Sequence, residues 1–413
     1  MKYIALLLIL IFLNPFINSF NVNKIDEKKY TREWWDIDAF INAGKNYSIT
    51  SSFEYEKETP AANLFLTIFD RDKNRYFELG SYNDDIDKLK IKGDYIKYGK
   101  CWIKPSYPIY EAYFERKGVK LYIELKAESP LMRVASGITN DLPFGFGYYN
   151  YTFTSKCIAK GWIYIDGIKR NFTGIGYYEH VYGNWSYNSP LKNFSFNSLK
   201  KYINLFKWWK NGMNLNFKNI TISSNNPFGY DWSWGFFDNG WTIFFGNIPS
   251  WIENIPMGII YIYDGKKYMQ FKLIKYEYLN GEFFDEEFFP RKIKIFANGN
   301  GTLHLIFNMS YKPHIYEDNL SSFYWKKLFL YECPGKIYGW LNNSKKINLN
   351  GSGEIEIERQ ISIFGYNLLK IFFHFPYPFG IELYFLSYLI KISIEMGLFL
   401  LPFYINFSFS KIR

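Results

Sequence analysis

Apolar and polar residues alternate along this chain over runs of roughly five to eight positions, each closed by Asp-Gly or Asn-Gly, a pattern that predicts β-hairpins. Trp162-Ile163-Tyr164-Ile165 runs into Asp166-Gly167 and a return strand toward Gly176. Ile259 to Tyr263 turns at Asp264-Gly265 into Tyr268 to Leu273. Trp232 to Gly235 passes through Asp238-Asn239-Gly240 into Trp241 to Phe245, and Lys292 to Phe296 through Asn298-Gly299 into Thr302 to Phe307. Long helical patterns are almost absent before residue 365. Alternation without βαβ spacing predicts an all-β chain of antiparallel barrels or sandwiches.

A chain of 413 residues exceeds one ordinary core and implies two domains. The break is expected at Ile248-Pro249-Ser250, giving units 21–250 and 251–362. Within the first, residues 195–227 read as an insertion carrying Lys200, Lys201, Lys207, Lys210 and Trp208-Trp209. It is either a basic, aromatic lid touching a membrane surface or a surface helix over a barrel end. Residues 363–413 form a hydrophobic tail; Glu382, Lys391 and Glu395 interrupt its apolar run, which argues against a clean span. Residues 1–20 read as a signal peptide or anchor, with Lys2, an apolar Ile4 to Leu13 and a poor cleavage region at Asn18-Ser19-Phe20. The expected location is therefore exported or at the cell surface, and twelve Asn-x-Ser/Thr sequons suit that location.

Composition sharpens this picture. The 41 Phe, 37 Tyr and 13 Trp favour pleated, half-buried surfaces. The net charge of +10 comes from scattered lysines without an RNP-like, zinc-finger or helix-turn-helix pattern. Nucleic acid is thus not expected, and attraction to an anionic membrane explains the charge as well. Three cysteines allow at most one internal disulfide and no four-cysteine zinc site.

The densest chemistry lies in Gly174 to Trp185, which holds one of only four histidines. Extended backbone puts Tyr178, His180 and Tyr182 on one face and Glu179 with Val181 on the other. A histidine between two phenols, turned into a barrel, suits proton transfer to an apolar ligand; a buried, hydrogen-bonded histidine is the plainer alternative. Further signals are Glu33-Trp34-Trp35-Asp36, Tyr230-Asp231-Trp232-Ser233-Trp234-Gly235, Tyr338-Gly339-Trp340 and Gly351-Ser352-Gly353-Glu354-Ile355-Glu356.

In this order the motifs resemble the family that contains carotenoid 1,2-hydratases, the AttH-like secreted proteins and, more distantly, tocopherol cyclases. The resemblance covers residues 30 to 360. It implies two lipocalin-like barrels packed together, an apolar pocket for an isoprenoid-like lipid, and no metal or organic cofactor. It also implies that His180 and Tyr182 stand where the family carries a pocket histidine and tryptophan. The strand after Trp-x-Trp-Gly, where the hydratases carry their proposed acid, has no carboxylate here. The catalytic candidates are therefore His180, Tyr182, Asp231 and Glu179, with Glu33 and Asp36 behind them. Trp34, Trp35, Tyr178, Trp185, Tyr230, Trp232 and Trp234 are the candidate ligand-binding residues. A lipid pocket requires Trp34, Trp232 and Trp234 to point inward, whereas a non-catalytic carrier needs no acid and a sugar-binding protein needs exposed aromatic faces. No His-x-x-x-His spacing, Gly-x-Ser-x-Gly elbow or phosphate-binding glycine loop occurs.

Overall fold

The computed structural model describes residues 28–144, 147–185, 196–213, 229–248, 257–284, 287–319 and 325–362. The expected signal segment and hydrophobic tail lie outside the described residues. The alternating runs form two antiparallel sheets, one of fourteen strands between Arg32 and Asn184 and one of nine between Gly229 and Ser362. All four hairpins read from the sequence are present, and their arms are long: Gly147–Ile165 pairs with Ile168–Asn184 through the turn at Asp166-Gly167.

The second sheet closes. Strand Gly301–Asn308 pairs both with its predecessor Glu287–Gly299 and with Trp325–Asn343, so eight strands form a ring and His314–Asn319 adds a ninth outside it. The first sheet curls around its own core and ends at the short edge strands Arg75–Glu78 and Leu89–Lys92. The fold is thus the lipocalin-like all-β pair expected, one member a closed barrel and the other a curled sheet. The expected break at residue 250 is corrected: Gly229–Phe237 and Thr242–Ile248 already belong to the second sheet, so the change of unit falls between Asn184 and Gly229. Pro249 itself lies outside the described residues; such a signal looks like a boundary because hairpins and domain joints share the same residue types.

The motifs converge in two pairs. Strand Arg32–Asn42 lies beside Ile168–Asn184, and Gly229–Phe237 lies beside Lys345–Ser362, with Trp232 opposite Glu356, Trp234 opposite Glu354 and Gly235 opposite Gly353. Both of these glycines are required by space: a Cβ at Gly235 would lie 2.7 Å from the Ser352 carbonyl oxygen, and one at Gly353 2.5 Å from that of Trp234, with Ile337 Cδ1 over both. Gly353→Ala is expected to overpack the barrel wall and cost about 1–3 kcal/mol, read as a lower denaturation midpoint at unchanged slope; an unchanged midpoint would refute this account.

One helix, Phe196–Lys210, stands among the described residues, in the segment read as an insertion. No helix of the described residues is long and apolar enough to cross a membrane. Between the sheets lies a third core of Phe40, Phe153, Tyr177, Trp232, Trp234, Phe244 and Tyr261, so the two units share one buried junction. Cys101, Cys157 and Cys333 are free, buried thiols.

Candidate functional site

The strand Ile168–Asn184 divides the chemistry between its two faces. Its pairing with Arg32–Asn42 is unbroken, setting Trp35 opposite His180 and Asp36 opposite Glu179, so no bulge brings Glu179 round to His180. The faces separate as the alternation predicts.

The inner face belongs to the first sheet's own core. His180 Nε2 lies 2.8 Å from Glu33 Oε1, and Glu33 Oε2 accepts the Tyr55 hydroxyl at 2.7 Å. The imidazole stacks on Trp35 at 5.2 Å and leans on Tyr182 at 4.8 Å. Tyr178 is buried, stacked on Tyr110 at 3.9 Å. Glu33 is almost enclosed while the His180 side chain keeps 26% exposure. A carboxylate bonded to one ring nitrogen and an indole under the ring hold the imidazole in place.

The outer face meets the second unit and carries an acid-rich junction. Glu179 accepts hydrogen bonds from Trp34 Nε1 at 2.9 Å, from the Tyr177 hydroxyl at 2.6 Å and from the Tyr151 hydroxyl. Asp36 is its register partner on the neighbouring strand, so two carboxyl groups meet here and each disfavours the other's ionisation. Burial raises the proton affinity of both acids; for Asp36 the negative charge of Glu179 adds to it, and for Glu179 the hydrogen bonds partly offset it. Asp36 Oδ1 is buried with no partner among the described residues. From the last strand, Glu354 and Glu356 face the same junction, and burial together with Glu332 holds both well above the usual carboxylate range. The Tyr230 hydroxyl donates to Glu356.

The junction is not sealed. Trp34, Asp36, Tyr149, Tyr151, Tyr230 and Glu356 are half-buried, so part of this junction is open to solvent. Aromatic side chains and carboxyl groups share it, and Trp232 Nε1 donates to the Tyr151 hydroxyl at 2.9 Å.

Other candidates lie elsewhere. Asp231 does not face the junction; its placing beside the Trp232 site is corrected. It points into the second barrel, ion-paired with Arg359 at 2.8 Å and bonded by the Tyr276 and Tyr278 hydroxyls, where it keeps a buried guanidinium neutralised. Period-two alternation already separates it from Trp232. Trp234 is fully enclosed and donates its Nε1–H to the Ser155 carbonyl at 2.7 Å, so it joins the two units and is not open to a ligand. Trp35 and Tyr178 are likewise buried on the inner face, apart from Trp34 and Trp232. Trp185 is buried and packs edge-on against Trp34 at 5.4 Å. Tyr151, Tyr177, Glu354 and Glu356 are members of the junction that the sequence reading did not single out as site residues; Glu354 and Glu356 stood in a motif noted only for its glycines and carboxylates. Among the described residues no group of three or more His, Cys, Asp or Glu has the arrangement to hold a metal ion.

No family model matches the chain. No curated protein matches it either. Solved structures do. A Nitrosomonas europaea protein provisionally designated AttH superposes with a TM-score of 0.54 at 10% identity, over 84% of this chain and 99% of the other. Kievitone hydratase of Nectria haematococca gives 0.54 at 13% identity, over 80% and 89%. CghA gives 0.50 at 9% identity, over 81% and 89%. At such identities the likeness establishes the shared fold, the two-unit architecture of AttH and hydratase structures that the ordered motifs resemble.

Proposed function

We propose that the crevice between the two units binds an apolar, unsaturated ligand of the isoprenoid class and that the Glu179–Asp36 pair donates a proton to it, in a cofactor-independent hydration or cyclisation. The observation that carries this reading is a pair of facing carboxyl groups, Glu179 and Asp36, set among Trp34, Tyr151 and Tyr177, whose proton affinity burial raises. An acid with raised proton affinity is what alkene protonation at neutral pH demands. The proton adds to one alkene carbon and leaves a cation on its neighbour. The faces of Trp34, Tyr151 and Trp232 stabilise that charge. Water attacks the cation and sheds a proton, or a second double bond attacks it to form a carbon–carbon bond and a new cation that loses a proton from an adjacent carbon; in either case the released proton returns to the carboxylate, so the acid is regenerated. His180 takes no part, since the strand separates it from the pair.

The orientation of Trp34 and Trp232 toward the junction supports a ligand between the units. The test is native mass spectrometry of the full chain extracted gently from its own membranes, followed by organic extraction. A stoichiometric isoprenoid or other polyunsaturated lipid is expected. A protein that retains none, and whose tryptophan fluorescence does not respond to added isoprenoids, would refute the reading.

A second reading, surface sugar binding, is favoured by a different feature. Tyr95, Trp102, Tyr113, Tyr122 and Trp162 stand half-buried on the outward side of the first sheet, with Tyr95 and Trp102 stacked at 5.4 Å and Trp102 and Tyr113 at 6.4 Å. Outward sheet positions are ordinarily polar, so this ladder is available to stack on a sugar. Retention on insoluble polysaccharide that Trp102→Ala abolishes would support it; no retention would exclude it.

A further inference from the structure

We propose that the outward face of the helix Phe196–Lys210 docks onto an anionic lipid bilayer. The helix is a strap fixed at both ends. Near its start the Ser198 hydroxyl donates to the Gly147 carbonyl of the first unit at 2.8 Å, and Lys201 pairs with Asp141 at 2.7 Å. Near its end Trp209 Nε1 donates to the Leu273 carbonyl of the second unit at 2.7 Å, and Lys272 returns a bond to the Trp208 carbonyl at 2.6 Å. Leu205 packs on the core between the units. These anchors dictate which side faces out.

That side is unusual for a protein surface. Leu199 and Ile203 are 41% and 51% exposed, and Phe196, one turn earlier, is exposed as well. Their spacing of three and four residues sets them in one stripe about 10 Å long. Lys200, Lys207 and Lys210 are exposed on the same face, and Lys200 and Lys207 make no ion pair among the described residues. The helix contains no acidic residue. An apolar stripe flanked by lysines, with nothing acidic, is the pattern of a helix that lies in the interface of a bilayer carrying negative lipids.

Charge selects the bilayer over other occupants. A second copy of the chain carries a net charge of +10, and residues 363–413 carry more Lys and Arg than Asp and Glu. Neither complements the three lysines. An acidic membrane does. Docking stands independently of the proton chemistry. It adds to that reading a route, since the helix is bonded through Ser198 to the Gly147 carbonyl, two residues from Tyr149 at the junction.

The experiment uses vesicles of phosphatidylcholine with and without phosphatidylserine, free of isoprenoid, so that its outcome is separate from that of the crevice reading. Because all three native cysteines are buried, an Ile203→Cys variant of the full chain can be labelled selectively with an environment-sensitive fluorophore. A blue shift on phosphatidylserine vesicles is expected, with none from the same label at Lys97→Cys on the far side of the first sheet. Lys200→Glu with Lys207→Glu is expected to weaken flotation with these vesicles at least tenfold, and Leu199→Ser with Ile203→Ser to do the same. No shift at position 203, or flotation that both double variants leave intact because another part of the chain carries it, would overturn the proposal.

Discussion

Replacing Glu179 with Gln is expected to lower proton transfer to a bound alkene by at least about 10²-fold, the scale of a positioned general acid. The readout is deuterium incorporation into the product in heavy water. His180→Gln is expected to leave that rate within a few-fold, because His180 and its Glu33 partner lie across the strand from the crevice. The contrast discriminates between the faces. If His180→Gln abolishes incorporation and Glu179→Gln does not, the acid sits inside the first sheet and the assignment made here is wrong. Glu179 accepts three hydrogen bonds from Trp34, Tyr151 and Tyr177, and an amide cannot accept them all, so some loss of stability is expected as well. Two measurements separate that from loss of chemistry. Asp36→Asn leaves those three bonds in place and is expected to cut incorporation similarly. The infrared carbonyl band of a protonated carboxyl is expected in the wild-type protein at pH 7 and should diminish in either variant; its absence from the wild type would mean that the pair holds no proton.

Much of this was legible locally. The hairpins follow from Asp-Gly and Asn-Gly turns between alternating runs, and the separation of His180 from Glu179 follows from the period of two. What alternation cannot give is which face meets the other unit, because both faces of this strand are apolar or aromatic. His180 therefore looked like the chemical centre and Glu179 like its reverse side, whereas the buried junction puts the acid-rich face between the units. Tyr151 and Glu356 reach that face from strands far apart in sequence, through pairings no short window contains. Asp231 is a different case. Its neighbour Trp232 faces the junction, so alternation alone assigns Asp231 to the barrel interior, and reading the pair as one site overlooked a rule already in hand. The helix was legible as a basic, aromatic insertion, but its outward stripe emerges only once Trp209 and Ser198 are seen to be anchored inward.

The melting temperature is expected to fall by about 5 °C or more as pH rises from 6 to 10, reversing the alkaline tolerance of an ordinary carboxylate-rich surface. Two sets of groups act in the same direction. At the junction, burial holds Asp36, Asp38, Glu354 and Glu356 well above the usual carboxylate range. A raised acid binds its proton more tightly folded than unfolded, so the folded state loses stability as pH climbs through the folded value. His314 follows the same sign. Burial opposes its charge, but Glu332 at 3.3 Å and Glu78 at 2.5 Å outweigh that and hold the imidazolium up to about 10. Its contribution is complete below the unfolded value near 6.5, at most about 5 kcal/mol, and is lost as pH passes 10. Because Glu78 belongs to the first sheet and His314 and Glu332 to the second, this imidazolium also ties the units together. Below pH 4 the sign reverses: Asp84, held near 2 by its bonds to Lys88, Ser81 and Tyr98, costs stability on protonation. His314→Gln is expected to flatten the melting curve between pH 7 and 10 while leaving the shallower carboxyl-driven slope. A midpoint that stays constant or rises over that range would mean that the junction does not hold its protons, and the raised acids on which the crevice chemistry depends would go with it.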